Sequence, residues 1–245
     1  MSRVTYPPLD TLKQVAEELW LVDSGPMSAM GIPLPVRMTV IRLPNGQIML
    51  HSPTRWSDAL NAELSKLGVI GHLVAPSVAH WTFMQEWQAR HPDAMTWASP
   101  GLRKRGAVKK SGLRIDEDLG ERAPAIWSDV LKQRVLTGGF GVTEVIFQHL
   151  PTQTAILVDL VQNFEPERIA PLVRPLARMV GVVGPNGRAP VYYRFAINRN
   201  RAAAQAVARE LVGQWRPERV LFAHGRWFET NGTARLQKSL DWLLD

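Results

Sequence analysis

The chain has 245 residues, 45% of them hydrophobic, and a formal net charge of +7 from 29 Lys and Arg against 22 Asp and Glu. That length and apolar content suffice for a sizeable core, and no segment has the composition of a disordered tail. There is no cysteine, which excludes disulfides, thiolate metal sites and a cysteine nucleophile, so any metal must be held by His, Asp or Glu.

The opening MSRVTYPPLDTLKQVAEELW is polar, carries two prolines and lacks an apolar signal core. No stretch reaches the roughly 18 apolar residues of a membrane span. The expectation is a soluble cytoplasmic protein with no membrane partner. ELWLVDS, 18–24, and MTVIRLP, 38–44, are rich in strand formers, and Pro44-Asn45-Gly46 turns the second of them into QIMLHSP, 47–53, predicting a hairpin. Ser57 then caps SDALNAELSKLG, in which Leu60, Leu64 and Leu67 recur at helical spacing until Gly68 stops the helix. The apolar run His72 to Pro76 reads as a buried strand, followed by a small-residue turn and a helix from about His80 to Arg90. MTWASP, 95–100, is a further short strand.

The basic block GLRKRGAVKKSGLR, 101–114, is followed at once by IDEDLGE, 115–121. It reads as a solvated loop whose charges are partly neutralised by the acids after it. Nucleic-acid binding would need its basic side chains gathered on one face with aromatics or a reading element nearby. Strand-like runs follow at 130–136, 143–150 and 154–160, the last two flanking Pro151-Thr152-Gln153 as a hairpin. PERIAPLVRPLARMVG is helical and interrupted by proline, Gly184-Pro185-Asn186-Gly187 is a turn, and VYYRFAI is either a strand or the approach to the helix RAAAQAVARELVGQW. RPERVLFAHG, 216–225, is a last strand, and RLQKSLDWLL closes the chain as an amphipathic helix. With no repeat, low-complexity tract or dividing linker, a single domain over 1–245 is expected. Hairpins first, then strands alternating with helices, argue for a layered α/β protein.

Three of these strands end on a polar residue where the chain leaves the sheet: His51 in MLHSP, Asp159 in ILVDL and His224 in LFAHG. His80 comes just after a fourth. Side chains at strand ends converge on one rim of a sheet even when far apart in sequence, and imidazole with carboxylate can ligate zinc, iron or manganese. A strand-end histidine can equally be a hydrogen-bonded structural residue. No G-x-S-x-G elbow, Walker loop, G-x-G-x-x-G or H-E-x-x-H is present, so serine-hydrolase, nucleotide-binding and zincin readings lack their signatures. Trp56, Trp81, Trp87 and Trp97, four of nine tryptophans, cluster around the His80 segment and read as core more readily than as pocket lining.

The order of these elements resembles the metallo-β-lactamase fold. More closely, VIRLPNGQIMLHSP, HLVAPSVAH, GLRKR, EVIFQHLPTQTAILVDL and VLFAHG look like an uncharacterised bacterial domain-of-unknown-function family within that superfamily, over about residues 18–228. The resemblance implies an αββα sandwich with a one- or two-metal site at the sheet edge, where a metal-activated water attacks an ester, amide, thioester or phosphodiester. The superfamily's signature turn, Thr-His-x-His-x-Asp-His, falls on Ala75 to Trp81. Pro76 and Val78 stand where its first two histidines should be, His80 takes the place of the aspartate, and Trp81 that of the last histidine, where its indole would fill space belonging to a second metal. Glu144 lies near another ligand position, Asp159 matches the bridging aspartate, His224 the final histidine, and His51 a supporting acid.

Two functional readings stay open. In the first, His80, Asp159 and His224 hold one divalent metal (Zn, Fe or Mn), Glu144 or His51 positions or deprotonates the water, and the basic rim, Arg199, Arg201 and Arg209 included, favours a small anionic substrate. In the second, these groups hydrogen-bond one another, with His51 and His80 fixed by Asp159, in a metal-free binding or scaffold protein that keeps the fold. Nucleic-acid binding through 101–114 and the Arg199 to Arg209 helix would rest on charge alone.

Overall fold

The computed structural model describes residues 4–29 and 32–245, so the first three residues of the polar amino-terminal stretch lie outside it. In chain order the elements are β1 (Lys13–Ala16), β2 (Leu19–Ala29), β3 (Ile32–Arg42), β4 (Ile48–His51), α1 (Asp58–Leu67), β5 (Ile70–Ala75), α2 (Met84–Arg90), β6 (Met95–Ala98), α3 (Gly106–Ser111) and β7 (Glu117–Asp118). There follow β8 (Leu131–Thr137), β9 (Thr143–His149), β10 (Thr154–Ile156), β11 (Gln162–Asn163), α4 (Arg174–Val180), α5 (Val191–Asn198), α6 (Arg201–Glu210), β12 (Arg219–Leu221), β13 (His224–Gly225), α7 (Gly232–Ser239) and α8 (Asp241–Leu244).

β1 to β7 form one sheet in sequence order, antiparallel up to β4 and parallel from β4 to β7. A second sheet runs β12-β10-β9-β8, and β11 and β13 make a short parallel pair beside it. Three cores explain the layering. Leu21, Ile41, Met49 and Val74 of the first sheet meet Val135, Val145, Phe147 and Ile156 of the second. The opposite face of the first sheet, with Val40, Leu50 and Leu73, packs on Leu60 and Leu64 of α1 and Met84 and Trp87 of α2. On the other side, Leu136, Ile146 and Ala155 pack on Ile197 of α5, Ala204 and Ala208 of α6 and Leu236 of α7. The result is an αββα sandwich. No helix among the described residues is long and apolar enough to cross a membrane.

Local chemistry accounts for most of the element boundaries. Ser57 accepts from the Leu60 amide at 3.2 Å as N-cap of α1, and Gly68 closes that helix. β5 is buried along its whole length because it is central in the sheet and covered on both faces. The structure also moves several expectations. α2 begins at Met84, not at His80, because Ser77 to Phe83 form turns that hold His80 at the sheet edge. The basic block is not a bare loop: a 3-10 turn, Leu102–Lys104, and α3 occupy it, anchored by buried Leu102 and Val108. Its charges are indeed partly neutralised, with Arg103 on Asp118 and Arg114 on Asp116, each at 2.9 Å. VYYRFAI is helical, as α5. The strand in TAILVDL ends at Ile156, leaving Asp159 on a bend. Trp87 and Trp97 are core residues, and Trp56 and Trp81 pack on the helix-side core of the first sheet.

His72, at the inner end of β5, shows how the interior treats a titratable group. Its Nδ1 accepts from the Trp97 indole at 3.1 Å and its Nε2 faces Gln47 Oε1 at 3.2 Å, an arrangement that holds the neutral ring. Burial lowers its pKa to about 4. Because the folded value lies below the unfolded one of about 6.5, the unfolded chain takes up this proton first. The associated stability is complete above pH 6.5 and is lost as the pH falls towards 4, at up to about 1.4 kcal/mol per pH unit. His72→Gln should therefore flatten the decline of denaturant-measured stability across that window. An unchanged slope would show that His72 is not held neutral.

Candidate metal centre

The side chains of His80, Asp159 and His224 converge at the edge of the sandwich, with one potential ligand atom from each within 4.8 Å of the others. His80 Nε2 lies 3.2 Å from Asp159 Oδ2, and His224 Nε2 lies 3.5 Å from Asp159 Oδ1. The imidazole centroids are 5.2 Å apart and tilted by 47°. All three are largely shielded from solvent, with side-chain exposures of 10%, 14% and 4% for His80, Asp159 and His224.

Each of the three is set from behind. His80 rides on the turn after β5, whose strand ends at Pro76 for want of an N–H. There Val145 of β9 donates to the Pro76 carbonyl at 2.6 Å, and Ser77 forms a bridge to Glu144. The Nδ1 of His80 is 2.7 Å from Ser52 Oγ. Ser52 follows His51 with a φ of 56°, a left-handed conformation uncommon for serine, and its amide donates to Val74 O at 2.9 Å. That strained residue brings its hydroxyl to the ring.

His224 lies on β13, in register with Gln162 of β11. Its Nδ1–H donates to the Pro35 carbonyl at 2.7 Å, and since a carbonyl can only accept, the neutral ring carries its lone pair on Nε2, the atom facing Asp159. The next residue must be glycine: Gly225 has a φ of 95°, and a Cβ there would overlap the Asn163 backbone. Buried Arg37 ties this segment down, donating to the carbonyls of Phe222 and Gly225 at 2.8 Å each while its charge is met by Asp23 at 2.6 Å.

Asp159 is placed by Glu144. The Glu144 side chain is wholly buried, and its oxygens accept from the amides of Val158 at 2.7 Å, Asp159 at 3.1 Å and Leu160 at 3.0 Å and from the Tyr193 hydroxyl at 2.7 Å. Burial and the nearby Asp159 charge push its pKa up to about 7, against the pull of the Val158 and Asp159 amides and the Tyr193 hydroxyl. For Asp159 itself burial favours the acid, but the two imidazoles and their hydrogen bonds win and hold its pKa well below the usual carboxylate range. Gln162 Nε2 donates to Asp159 Oδ1 at 3.0 Å.

His51 sits between the sheets, edge-on to Phe147 at 5.3 Å, and is not among the residues bonded to Asp159. Its pKa is lowered to about 3 by burial first and the neighbouring His80 second, and its Nε2 is buried without a hydrogen-bond partner. The cluster joins His80 and His224 through Asp159, where the metal-free reading has Asp159 fixing His51 and His80. Of the basic rim residues, Arg199 stacks over Phe140 and Phe195, and Arg201 donates to Asn198 and Trp242. Sequence reasoning passed over Ser52, Arg37 and Tyr193. Only the small polar residue beside His51 at a strand end carried a signal.

The donor set suits a metal. Ligand atoms about 2.1 Å from a tetrahedral ion lie about 3.4 Å apart; His80 Nε2 lies 3.2 Å from one Asp159 oxygen and His224 Nε2 3.5 Å from the other, and one ligand atom from each of the three lies within 4.8 Å of the others. A metal-bound histidine commonly donates its other N–H to a carbonyl, as His224 does.

An αββα sandwich with this histidine and aspartate cluster at its edge is a metallo-β-lactamase fold. Similar structures are a metallo-β-lactamase from Pontibacter korlensis (TM-score 0.64, 13% identity, covering 96% of this chain and 99% of that one) and the DIM-1 metallo-β-lactamase (0.65, 15%, 96% and 95%). A third is FIM-1 from Pseudomonas aeruginosa in its mono-zinc form (0.62, 12%, 94% and 93%). At such identities the likeness is one of fold. The chain belongs to the family described as Domain of unknown function (DUF4336), whose family model matches residues 16–180. No curated protein matches the chain.

Replacing Glu144 by Ala should leave three buried amides without an acceptor at about 1–3 kcal/mol each, for a total loss of at least about 3 kcal/mol in urea unfolding. Tyr193→Phe removes one bond and should cost about 1 kcal/mol. Equal, small losses in both variants would show that Glu144 does not organise this turn.

Proposed function

We propose that this protein is a divergent hydrolase of the metallo-β-lactamase fold that uses a single divalent metal, Zn, Fe or Mn, held by His80, Asp159 and His224, and acts on an ester or phosphodiester. The observation that carries the reading is the orientation of the two histidines: each has Nδ1 occupied, on Ser52 Oγ or the Pro35 carbonyl, and turns Nε2 towards the same carboxylate. When bound, the metal supplies Lewis-acid activation of water and of the scissile group.

The chain's own residues then have separable tasks. His80 and His224 give neutral nitrogen donors, and Asp159 gives the negative charge. Ser52 and the Pro35 carbonyl fix the ring orientations. Glu144 has no free oxygen to offer a water, so its part is to position Asp159 through the backbone. His51, neutral and enclosed, flanks His80 without titrating near neutral pH. Tyr192, exposed on α5, lies in the field of Asp159: burial of its hydroxyl and that charge raise its pKa.

One observation favours the metal-free alternative, a binding or scaffold protein. The three side chains can satisfy one another, since Ser52 can donate to His80 Nδ1 and leave a proton on its Nε2, and a His224 protonated on both nitrogens would also reach Asp159, at the distances seen. The two readings separate on metal content. Protein purified without chelator or affinity tag should carry one zinc, iron or manganese per chain by elemental analysis, absent from a folded His80→Ala/His224→Ala variant, with ester or phosphodiester hydrolysis lost in parallel. A folded wild type that holds no metal and takes up none when it is added would leave the scaffold reading standing.

A further inference from the structure

α4 ends at Val180, and Gly181, with a φ of 90°, turns the chain towards the Gly184–Gly187 bend. Between this bend and α5 lies an open cavity of about 380 Å³ lined by Arg178, Arg188, Arg194, Gly181, Gly184 and Asn186 among others, with no acidic residue in its walls. That volume falls within the range of small-molecule sites.

The three guanidinium groups are poorly compensated. Arg188 reaches Asp241 at 2.8 Å in a pair that is more than a third exposed. Arg194 makes one contact, to the Val180 carbonyl at 3.3 Å, and its Nε is buried with no partner. Arg178 is exposed and has no ion pair or side-chain hydrogen bond among the described residues. Arg194 lies close against the turn, where a Cβ on Gly181 would come within 3.1 Å of its Nη2. Burial and the Arg188 charge oppose the charged form of Arg194, and Asp241 offsets them only in part. Like charges gathered round a cavity, with donors left over, are stabilised by an anion that accepts from several of them. Guanidinium groups match the oxygens of a phosphoryl group in geometry as well as charge.

We propose that this cavity binds the phosphoryl group of a phosphorylated small molecule, at a site that shares no residue with the histidine and aspartate cluster. The two are neighbours through one residue: the Gln162 amide donates to the Arg188 carbonyl at 3.3 Å, and its side chain donates to Asp159 at 3.0 Å. The site stands whether or not the cluster holds a metal.

The test is calorimetric titration of inorganic phosphate into chelator-treated, full-length protein, with chloride at matched ionic strength as the reference. Wild type and His80→Ala should bind phosphate saturably and alike, and Arg178→Gln/Arg194→Gln should bind it at least about tenfold more weakly, the worth of one charge-assisted hydrogen bond. Thermal melting checks that the double variant folds. If it does not, Arg178→Gln alone, which removes an exposed and unpaired side chain, should weaken binding in the same direction. No saturable binding by wild type beyond that of chloride, or equal affinity in the folded arginine variants, overturns the proposal.

Discussion

Glu144 is the residue on which the geometry of the cluster depends. Its backbone pairs with Ser77 in the turn that carries His80, and its side chain gathers the three amides of the bend that carries Asp159. These two segments leave different sheets, so nothing in the hydrogen-bond ladder of either sheet would bring them together. A carboxylate is costly to bury, and it persists in a core only where donors replace water. Here four donors do so, and the cost of losing any of them ties the bend to β9. The arrangement turns a desolvation penalty into positional precision, because the charge is satisfied in one conformation of the bend only.

A similar logic holds His224. Arg37, in mid-strand on β3, would be expected to point to solvent, yet it is buried beneath the segment carrying His224 and meets Asp23 and two carbonyls. Asp23 also takes Lys13 at 2.8 Å, so the ion cluster spans β1, β2 and β3 and reaches β13. With Ser52 on His80, each member of the cluster is fixed on the side away from its neighbours. Two imidazoles and a carboxylate held at 3.2 and 3.5 Å owe their spacing to these supports as much as to their mutual attraction.

Much of this was legible in the sequence, for reasons that also explain what was not. The layered architecture follows from apolar runs bounded by turn residues, and Ser57 with Gly68 marks α1 because caps are local chemistry. His80, Asp159 and His224 stood out because a polar residue ending an apolar strand is placed at a rim. What stayed hidden depends on contacts across the chain. The acceptors of Arg37 lie 185 and 188 residues away. Glu144 read as a site acid because its true partners are backbone amides, which every residue has and no composition reveals. Ser52 is identifiable only from a backbone angle, and the start of α2 was misplaced because the turn at Ser77 to Phe83 is stabilised by tertiary contacts.

The positions that depart from the superfamily's signature are put to other use. Pro76 gives its carbonyl to Val145, Val78 packs against the helix-side core, and so does Trp81, clear of the space between the sheets. On the proposed reading, the donors that remain, His80, Asp159 and His224, would hold a single ion. One carboxylate and two neutral imidazoles around a divalent cation leave a net positive charge, and with little solvent to screen it the centre would favour an anion. The arginine cavity beyond Gln162 has the same preference, built from a different part of the chain. With a metal in the cluster, two positive sites would be joined through Gln162 and would suit a ligand with more than one negative group, and the arginine cavity gives the surplus of basic residues in this chain a local meaning that its overall charge alone does not.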